Sequence, residues 1–341
     1  MRNIKNTNKT GFLKKIFAKL CRLIGYEIID QNNFYFPVSN KNVDENLSTL
    51  GKNSISIPLG ETKITRPVKS LDIILKTCTS VNLVTQNKKR IFQKEKSEYT
   101  IRTIRSLLNS YNYNKELFDK INFKITIVDH NSKKEDLDLI KSILQKSLIN
   151  FQIINLNVDD FSHIKTLNKN NPTIENNMKA TMASILKSFE VARETANDLI
   201  YFVEDDYIHK NESLSEILFT YEKIASQTGK EIFLCPVDYP YLYKDSEKTN
   251  ILIGHQYHWR TIKESLLTFM TSKQMLNKHW LSLVKMGTEE HSPFETPLHK
   301  IYEDEICLSP IPSLAMHCTN VNSVFGLSPN INWEKLWDEN K

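Results

Sequence analysis

Leu199-Ile200-Tyr201-Phe202-Val203-Glu204-Asp205-Asp206-Tyr207-Ile208-His209 is the stretch that decides how this chain folds. Five apolar, β-rich residues run straight into three carboxylates. A short apolar run of this kind reads as a strand buried on both faces. Unpaired charge is too costly to keep inside such a strand, so Glu204, Asp205 and Asp206 must emerge at its carboxyl end. In open α/β sheets, that edge is where ligands bind. Carboxylates crowded there repel one another. A divalent cation with oxygen ligands, Mg²⁺ or Mn²⁺, would relieve the repulsion and could also hold phosphates. A solvated acidic turn is the plainer alternative.

The surrounding pattern supports a parallel sheet. Upstream, Leu71–Thr79, Phe123–Val128 and Phe151–Leu156 read as buried strands, and Tyr99–Leu108 and Leu137–Leu144 carry helical periodicity. A long helix over Asn176–Thr195 leads into the strand at 199. Strands alternating with helices indicate an α/β fold, a mostly parallel sheet flanked by helices. Downstream, a helix is expected near Ser213–Ala225, a strand at Glu231–Pro236, a strand pair at His255–Arg260 and Leu266–Met270, and a helix over Ser272–Val284. An acidic, His-containing segment spans Thr288–Glu305, with a helix start at Thr296-Pro297. The tail carries Trp333 and Trp337, expected to pin it to the domain.

Composition narrows the class. The chain has 341 residues, 40% apolar and 25% charged, which describes a globular protein of one large or two smaller domains. The net charge of +5 is mild and concentrated at the N-terminus, which argues against nucleic acid as a partner. Five scattered cysteines without a CxxC pair argue against a zinc site and a disulfide scaffold, and suggest a reducing cytoplasm. No run approaches the roughly 18 apolar residues of a spanning helix, and no signal peptide is expected. Residues 1–25 hold seven Lys/Arg and no Asp/Glu. Over 12–24, Phe12, Leu13, Ile16, Phe17, Leu20, Leu23 and Ile24 share one helical face, and Lys14, Lys15, Lys19 and Arg22 the other. Such a basic amphipathic helix suits an anionic membrane surface, or packing on its own domain or a second subunit. Residues 30–66 read as an irregular connector. The expected division is therefore 1–66, a domain over 67–325 with halves 67–210 and 211–325, and a tail over 326–341.

Four places carry a resemblance. They are the opening strand into Thr77-Cys78-Thr79, the second strand end Ile127-Val128-Asp129-His130-Asn131-Ser132, Asn177 and Ala180 on the long helix, and Phe202-Val203-Glu204-Asp205-Asp206. Together, over residues 70–210, they resemble family-2-type nucleotide-sugar glycosyltransferases of the GT-A fold. His130-Asn131 stands where that family's V-D-D-G-S motif has Asp-Gly. The resemblance implies a mixed, Rossmann-like sheet and a nucleotide-sugar donor contacted by Thr77, Thr79, Asp129, Asn177 and, through the ribose, Asp205. It also implies Mn²⁺ or Mg²⁺ on Glu204, Asp206 and a late histidine, His317, and a glycan or glycolipid acceptor at the cytoplasmic face of a membrane. Strand alternation puts Glu204 and Asp206 on one side and Asp205 on the other.

An inverting transfer needs a carboxylate base near the acceptor hydroxyl. Glu295 is the first choice and Glu290 the second, ahead of Glu289, Glu303 and Asp304. Trp259 and Arg260 are candidates for the acceptor pocket, the first by stacking and the second by holding a phosphate or carboxylate. Core packing accounts equally well for Trp259. No GxGxxG or P-loop pattern is present, which sets aside dinucleotide and P-loop readings. A nucleotidyltransferase on a related sheet and a non-catalytic sugar-nucleotide-binding scaffold remain as alternatives.

Overall fold

The computed structural model describes residues 12–26, 63–80, 92–167, 171–243, 246, 248–318 and 330–341. Of the connector expected over 30–66, residues 30–62 lie outside the described residues, as do residues 81–91, which include Lys88, Lys89 and Arg90. The chain divides into two units, residues 1–63 and 64–341.

The first unit contains helix α1 (Phe12–Leu23). Phe12, Leu13, Phe17, Leu20 and Leu23 are exposed along one face, and Lys15, Lys19 and Arg22 are exposed on the other. The expected amphipathic helix is present.

In the second unit the strands are β1 (Ser70–Thr77), β2 (Asn122–Asp129), β3 (Asn150–Asn155), β4 (Leu199–Glu204), β5 (Tyr207–His209), β6 (Phe233–Leu234), β7 (Ile251–Ile253), β8 (His258–Thr261), β9 (Phe269–Ser272), β10 (Cys307–Ile311) and β11 (Ala315–His317). The helices are α2 (Lys96–Tyr113), α3 (Lys115–Phe118), α4 (Lys134–Lys146), α5 (Pro172–Thr195), α6 (Ser213–Thr228), α7 (Lys273–Lys278), α8 (Trp280–Thr288), α9 (Thr296–Tyr302) and α10 (Trp333–Glu339).

Nine strands form one sheet in the order β3-β2-β1-β4-β9-β6-β10-β8-β7. The first four are mutually parallel. Only β9 and β8 run against the rest, as their antiparallel pairings with β4, β6, β10 and β7 require. The sheet is therefore mixed and mostly parallel, as expected. β1 and β4 are interior strands of the sheet, which explains the unbroken apolar run of β4, while β1 carries Asp72 buried within it. Leu199 to Val203 are buried, and Glu204 is the first residue of β4 to reach the surface. β5 and β11 form a separate two-stranded pair just beyond the acidic turn.

Local signals set the helix ends. The Asn171 side chain accepts from the amides of Thr173 and Ile174, and Pro172 occupies the first turn, so α5 starts there rather than at Asn176. Ser272 caps α7 by accepting from the Met275 amide, and Asn332 caps α10 by accepting from that of Lys335. Gly229 closes α6 in the left-handed region at φ +65°.

The second half departs from the expected layout. β8 and β9 are not partners: β9 lies between β4 and β6, while β8 pairs with β10 and β7. Adjacency in the sequence suggested a hairpin, but the unfilled edge of β4 takes β9 instead. The expected helix over 272–284 is two helices, α7 and α8, broken at His279.

Candidate active site

Sheet register builds the site. β1 lies between β2 and β4, and pairing sets Thr77 opposite Asp129 and Lys76 opposite Glu204. All four residues thus reach the carboxyl edge together. The Thr77 hydroxyl donates to Asp129 Oδ1 at 2.6 Å, and the Ser132 amide donates to Oδ2 at 3.1 Å. That second bond closes a turn in which Asn131 holds φ +56°. Asn tolerates this left-handed conformation better than most residues, so it can replace the glycine of the resembled motif. The Thr79 amide donates to Ser132 Oγ at 2.9 Å, and its hydroxyl accepts from the Lys133 amide at 3.0 Å. Thr77, Thr79 and Asp129 therefore converge as expected. Beside them a cleft of about 490 Å³ opens between the ends of β2 and β3, lined by Asp129, His130, Asn131, Leu137, Asn157 and Asp159 among others. Asn177 lies in the first half of α5 with its carbonyl accepting from Thr181 Oγ1. No hydrogen bond draws its side chain into the cluster among the described residues.

At the acidic turn, each carboxylate has its own cationic or imidazole neighbour. Glu204 pairs with Lys76 Nζ at 3.1 Å. Asp205 is buried; its Oδ1 takes Lys96 Nζ at 2.9 Å, and its Oδ2 takes the Thr100 hydroxyl at 3.0 Å and the Cys78 amide at 3.2 Å. Burial works against the Lys96 charge, but Asp205 and Asp206 outweigh it and hold the ammonium above its usual value. Asp205 thereby ties β1, α2 and β4 together, and three protein donors occupy the carboxylate expected to meet a ribose.

Asp206 Oδ2 lies 3.5 Å from His317 Nε2. The pairing of β5 with β11 causes this approach, because it sets His317 opposite Tyr207 and lets the Cys318 amide donate to the Asp206 carbonyl at 2.8 Å. The Tyr207 ring stacks on the imidazole at 4.5 Å and 10°. β4 ends at Glu204, so Asp205 and Asp206 belong to a turn and strand alternation does not extend to them. The three expected metal ligands are not assembled: no group of three His, Cys, Asp or Glu close enough to hold a cation occurs among the described residues. Asp206 and His317 form a two-ligand set of oxygen and imidazole, and Glu204 is engaged by Lys76.

Glu295, at the start of α9, is 8% exposed. Burial, then the nearby Glu204 charge, push its carboxyl up to about 7, against the opposing pull of Lys76 and His317. The first-choice base therefore lies in the same electrostatic neighbourhood as Glu204, Lys76 and His317, more than 80 residues away in sequence from Glu204. Glu290 is used elsewhere: its Oε2 accepts from the Leu167 amide at 2.6 Å and pins the 165–167 segment. Glu289, Glu303 and Asp304 are exposed.

Trp259 is fully buried, and its indole N–H donates to Glu216 Oε1 at 3.1 Å. It packs in the core and presents no face to a sugar, which corrects the acceptor-stacking expectation. Arg260 pairs with Asp238 at 2.7 Å.

Sequence reasoning missed Lys76, Lys96 and Tyr207. A charged residue at the last turnward position of a buried strand was the available signal for Lys76. Nothing local marked Lys96. The tail does pin itself to the domain: Trp337 stacks on Phe92 at 3.7 Å and lies under Arg102 at 4.2 Å, in a cluster with Met316 and Cys318, the neighbours of His317.

No protein-family model and no curated protein matches the chain. Among solved structures it is similar to the galactosyltransferase LgtC in complex with donor and acceptor sugar analogs, at 12% identity over 69% of this chain and 66% of that one, with a TM-score of 0.36. It is also similar to S. aureus TarS 1–349, at 12% identity over 71% and 58% of the two chains with a TM-score of 0.39. A third is a UDP-glucose pyrophosphorylase complexed with UDP-glucose, at 9% identity over 80% and 98% with a TM-score of 0.40. At such identities and scores, these likenesses do not by themselves assign this chain a family or an activity.

Proposed function

We propose that this chain is a metal-dependent glycosyltransferase that moves a sugar from a nucleoside-diphosphate donor to a hydroxyl of a glycan or glycolipid. The observation that supports this reading best is the gathering of the Asp206–His317 pair and the buried Glu295 on the sheet edge that also carries the Asp129 cleft. The cleft takes the nucleoside, with Asp129, Thr77 and Thr79 at its inner end. Asp206 and His317 would hold Mn²⁺ or Mg²⁺. The metal's contribution is to neutralise charge developing on the departing diphosphate. Lys76 adds a fixed positive charge beside Glu204 on the same edge.

Glu295 accepts the proton of the acceptor hydroxyl as its oxygen bonds to the anomeric carbon and the bond to the diphosphate oxygen breaks. This single displacement inverts the anomeric centre. A base poised near neutral pH combines proton affinity with a populated ionised form.

α1 is proposed as an anchor on the cytoplasmic side of an anionic membrane, its exposed apolar face in the headgroup layer and its basic face against phosphates. No described helix is long and apolar enough to cross a membrane.

The test incubates the full chain with Mn²⁺ and a panel of UDP-, GDP- and dTDP-sugars and identifies the released product. Nucleoside diphosphate release, abolished in Asp206→Ala and Glu295→Gln, is the expected result. Pyrophosphate release would replace this reading with nucleotidyl transfer. Nucleotide binding without turnover would favour a scaffold. Flotation with phosphatidylglycerol vesicles, lost on deleting residues 1–26, tests the anchor; equal flotation of the truncated chain would refute it.

A further inference from the structure

A second polar cluster lies on the acceptor half, beyond the tyrosines that lead away from His317. Tyr207, stacked on His317, shares a hydrogen bond with Tyr239 at 2.8 Å between hydroxyls. Tyr239 in turn stacks with Tyr241 at 5.5 Å, and Tyr241 lies within electrostatic range of Glu295. One residue before Tyr239 is Asp238, 1% exposed, with its amide donating to Ser313 Oγ at 2.7 Å. Register sets Arg260 on β8 opposite Ser309 on β10, which aims its guanidinium at Asp238. Arg260 Nη2 donates to Asp238 Oδ1 at 2.7 Å, and the Tyr243 hydroxyl donates to Oδ2. The Tyr243 ring covers the guanidinium at 4.3 Å and is itself 52% exposed.

The pairing is incomplete in an informative way. Arg260 is 9% exposed, and its Nε is buried with no hydrogen-bond partner among the described residues. A carboxylate meeting an arginine fork usually takes two N–H groups. Here both oxygens of Asp238 are engaged, one by Arg260 and one by Tyr243, so Asp238 holds the guanidinium in place while Nε goes unanswered. Buried donors are nearly always paired, and an unpaired one calls for an explanation, of which a bound ion is one. The planar fork matches phosphate and carboxylate oxygens.

We propose that Arg260, positioned by Asp238 and covered by Tyr243, recognises an anionic substituent, a phosphate or carboxylate, on the acceptor. The inference rests on the glycosyltransferase reading, because it takes Glu295 as the point where the acceptor hydroxyl reacts. The acceptor then spans from Glu295 past Tyr241 to Arg260, and neutral glycans lack the group that Nε requires.

The test measures binding to the full chain with Mn²⁺ by calorimetry and ligand-observed NMR. The probes are UDP, glycerol 3-phosphate, glucuronate and methyl glucoside. Wild type should bind at least one of the two anions in the presence of saturating UDP, and methyl glucoside far more weakly. Arg260→Lys keeps a cation beside Asp238 but removes the fork, so it should fold and bind UDP as wild type does while losing ~10-fold or more in anion affinity. Glycerol 3-phosphate alone binding names a phosphate-bearing acceptor; glucuronate alone names a uronic-acid one. Anion binding unchanged in Arg260→Lys, displaced by UDP, or matched by methyl glucoside would overturn the proposal. Failure of UDP to bind wild type would instead count against the donor reading, and the anion comparison would still be decided by Arg260→Lys.

Discussion

Replacing Glu295 with Gln should make the protein more stable at pH 8 while stopping transfer. The reasoning starts from the buried carboxyl, raised from the usual 4.5 to about 7 chiefly by burial and then by Glu204. In the unfolded chain Glu295 ionises near its usual value, so between the two the unfolded state has released a proton that the folded state still holds. Stability therefore falls as pH rises through this window. It is highest below about 4.5 and has lost the full contribution above about 7. At 1.36 kcal/mol per pH unit, the loss is about 3 kcal/mol. Glutamine is nearly isosteric and never ionises, so the variant escapes that loss. The assay is thermal or urea unfolding of both proteins from pH 4 to 8.5. The difference in their stabilities should be flat below pH 4.5, widen to about 3 kcal/mol by pH 7.5, and correspond to roughly 4–5 °C in Tm. Other titrating groups cancel in the difference. Parallel curves across this range would refute the buried, high-pKa assignment, whatever happened to activity. The same carboxylate should make kcat/KM of the wild type rise with pH through about 7.

Three further predictions concern the frame around the site. Lys96→Met leaves Asp205 buried without its cation and should cost about 3 kcal/mol in urea unfolding, with most of the loss recovered in Lys96→Met/Asp205→Asn; a single variant as stable as wild type would show the pair to be immaterial. Gly287→Ala places a Cβ 2.7 Å from Leu186 Cβ and 2.9 Å from the Met182 carbonyl, so α5 and α8 must separate, and a loss of about 1–3 kcal/mol is expected by calorimetry. His317→Ala should weaken Mn²⁺ binding, read by electron paramagnetic resonance, with little change in the far-UV circular dichroism spectrum; undiminished Mn²⁺ affinity would remove His317 from the metal pair.

Much of residues 67–210 was legible because it depends on local pattern. Interior parallel strands are rich in apolar residues, so Ile73–Leu75 of β1, Ile125–Val128 of β2 and Leu199–Val203 of β4 stood out, and the polar residues that end each run marked the carboxyl edge. The V-D-x-x-S segment kept its turn chemistry even with Asn131 at the glycine position. Residues 211–325 were read less well. Their strands are two to five residues long and pair across large sequence separations, so nothing local distinguished a β8–β9 hairpin from the observed arrangement. Trp259 illustrates the same limit: an indole looks alike in a sugar platform and in a core until the Glu216 carboxylate that accepts from it is located.

The sequence by itself determined that β4 is buried and that Glu204, Asp205 and Asp206 follow together at its end. This follows from the cost of dehydrating unpaired charge. Only the tertiary structure decided what each carboxylate meets. Lys76 comes from β1, Lys96 from α2, His317 from β11 and Glu295 from the start of α9, and sheet register and helix packing bring them within reach of the turn. Electrostatic pairing acts over a few ångströms in space, and the neighbours that answer a charge are chosen by topology, which no local stretch of sequence contains.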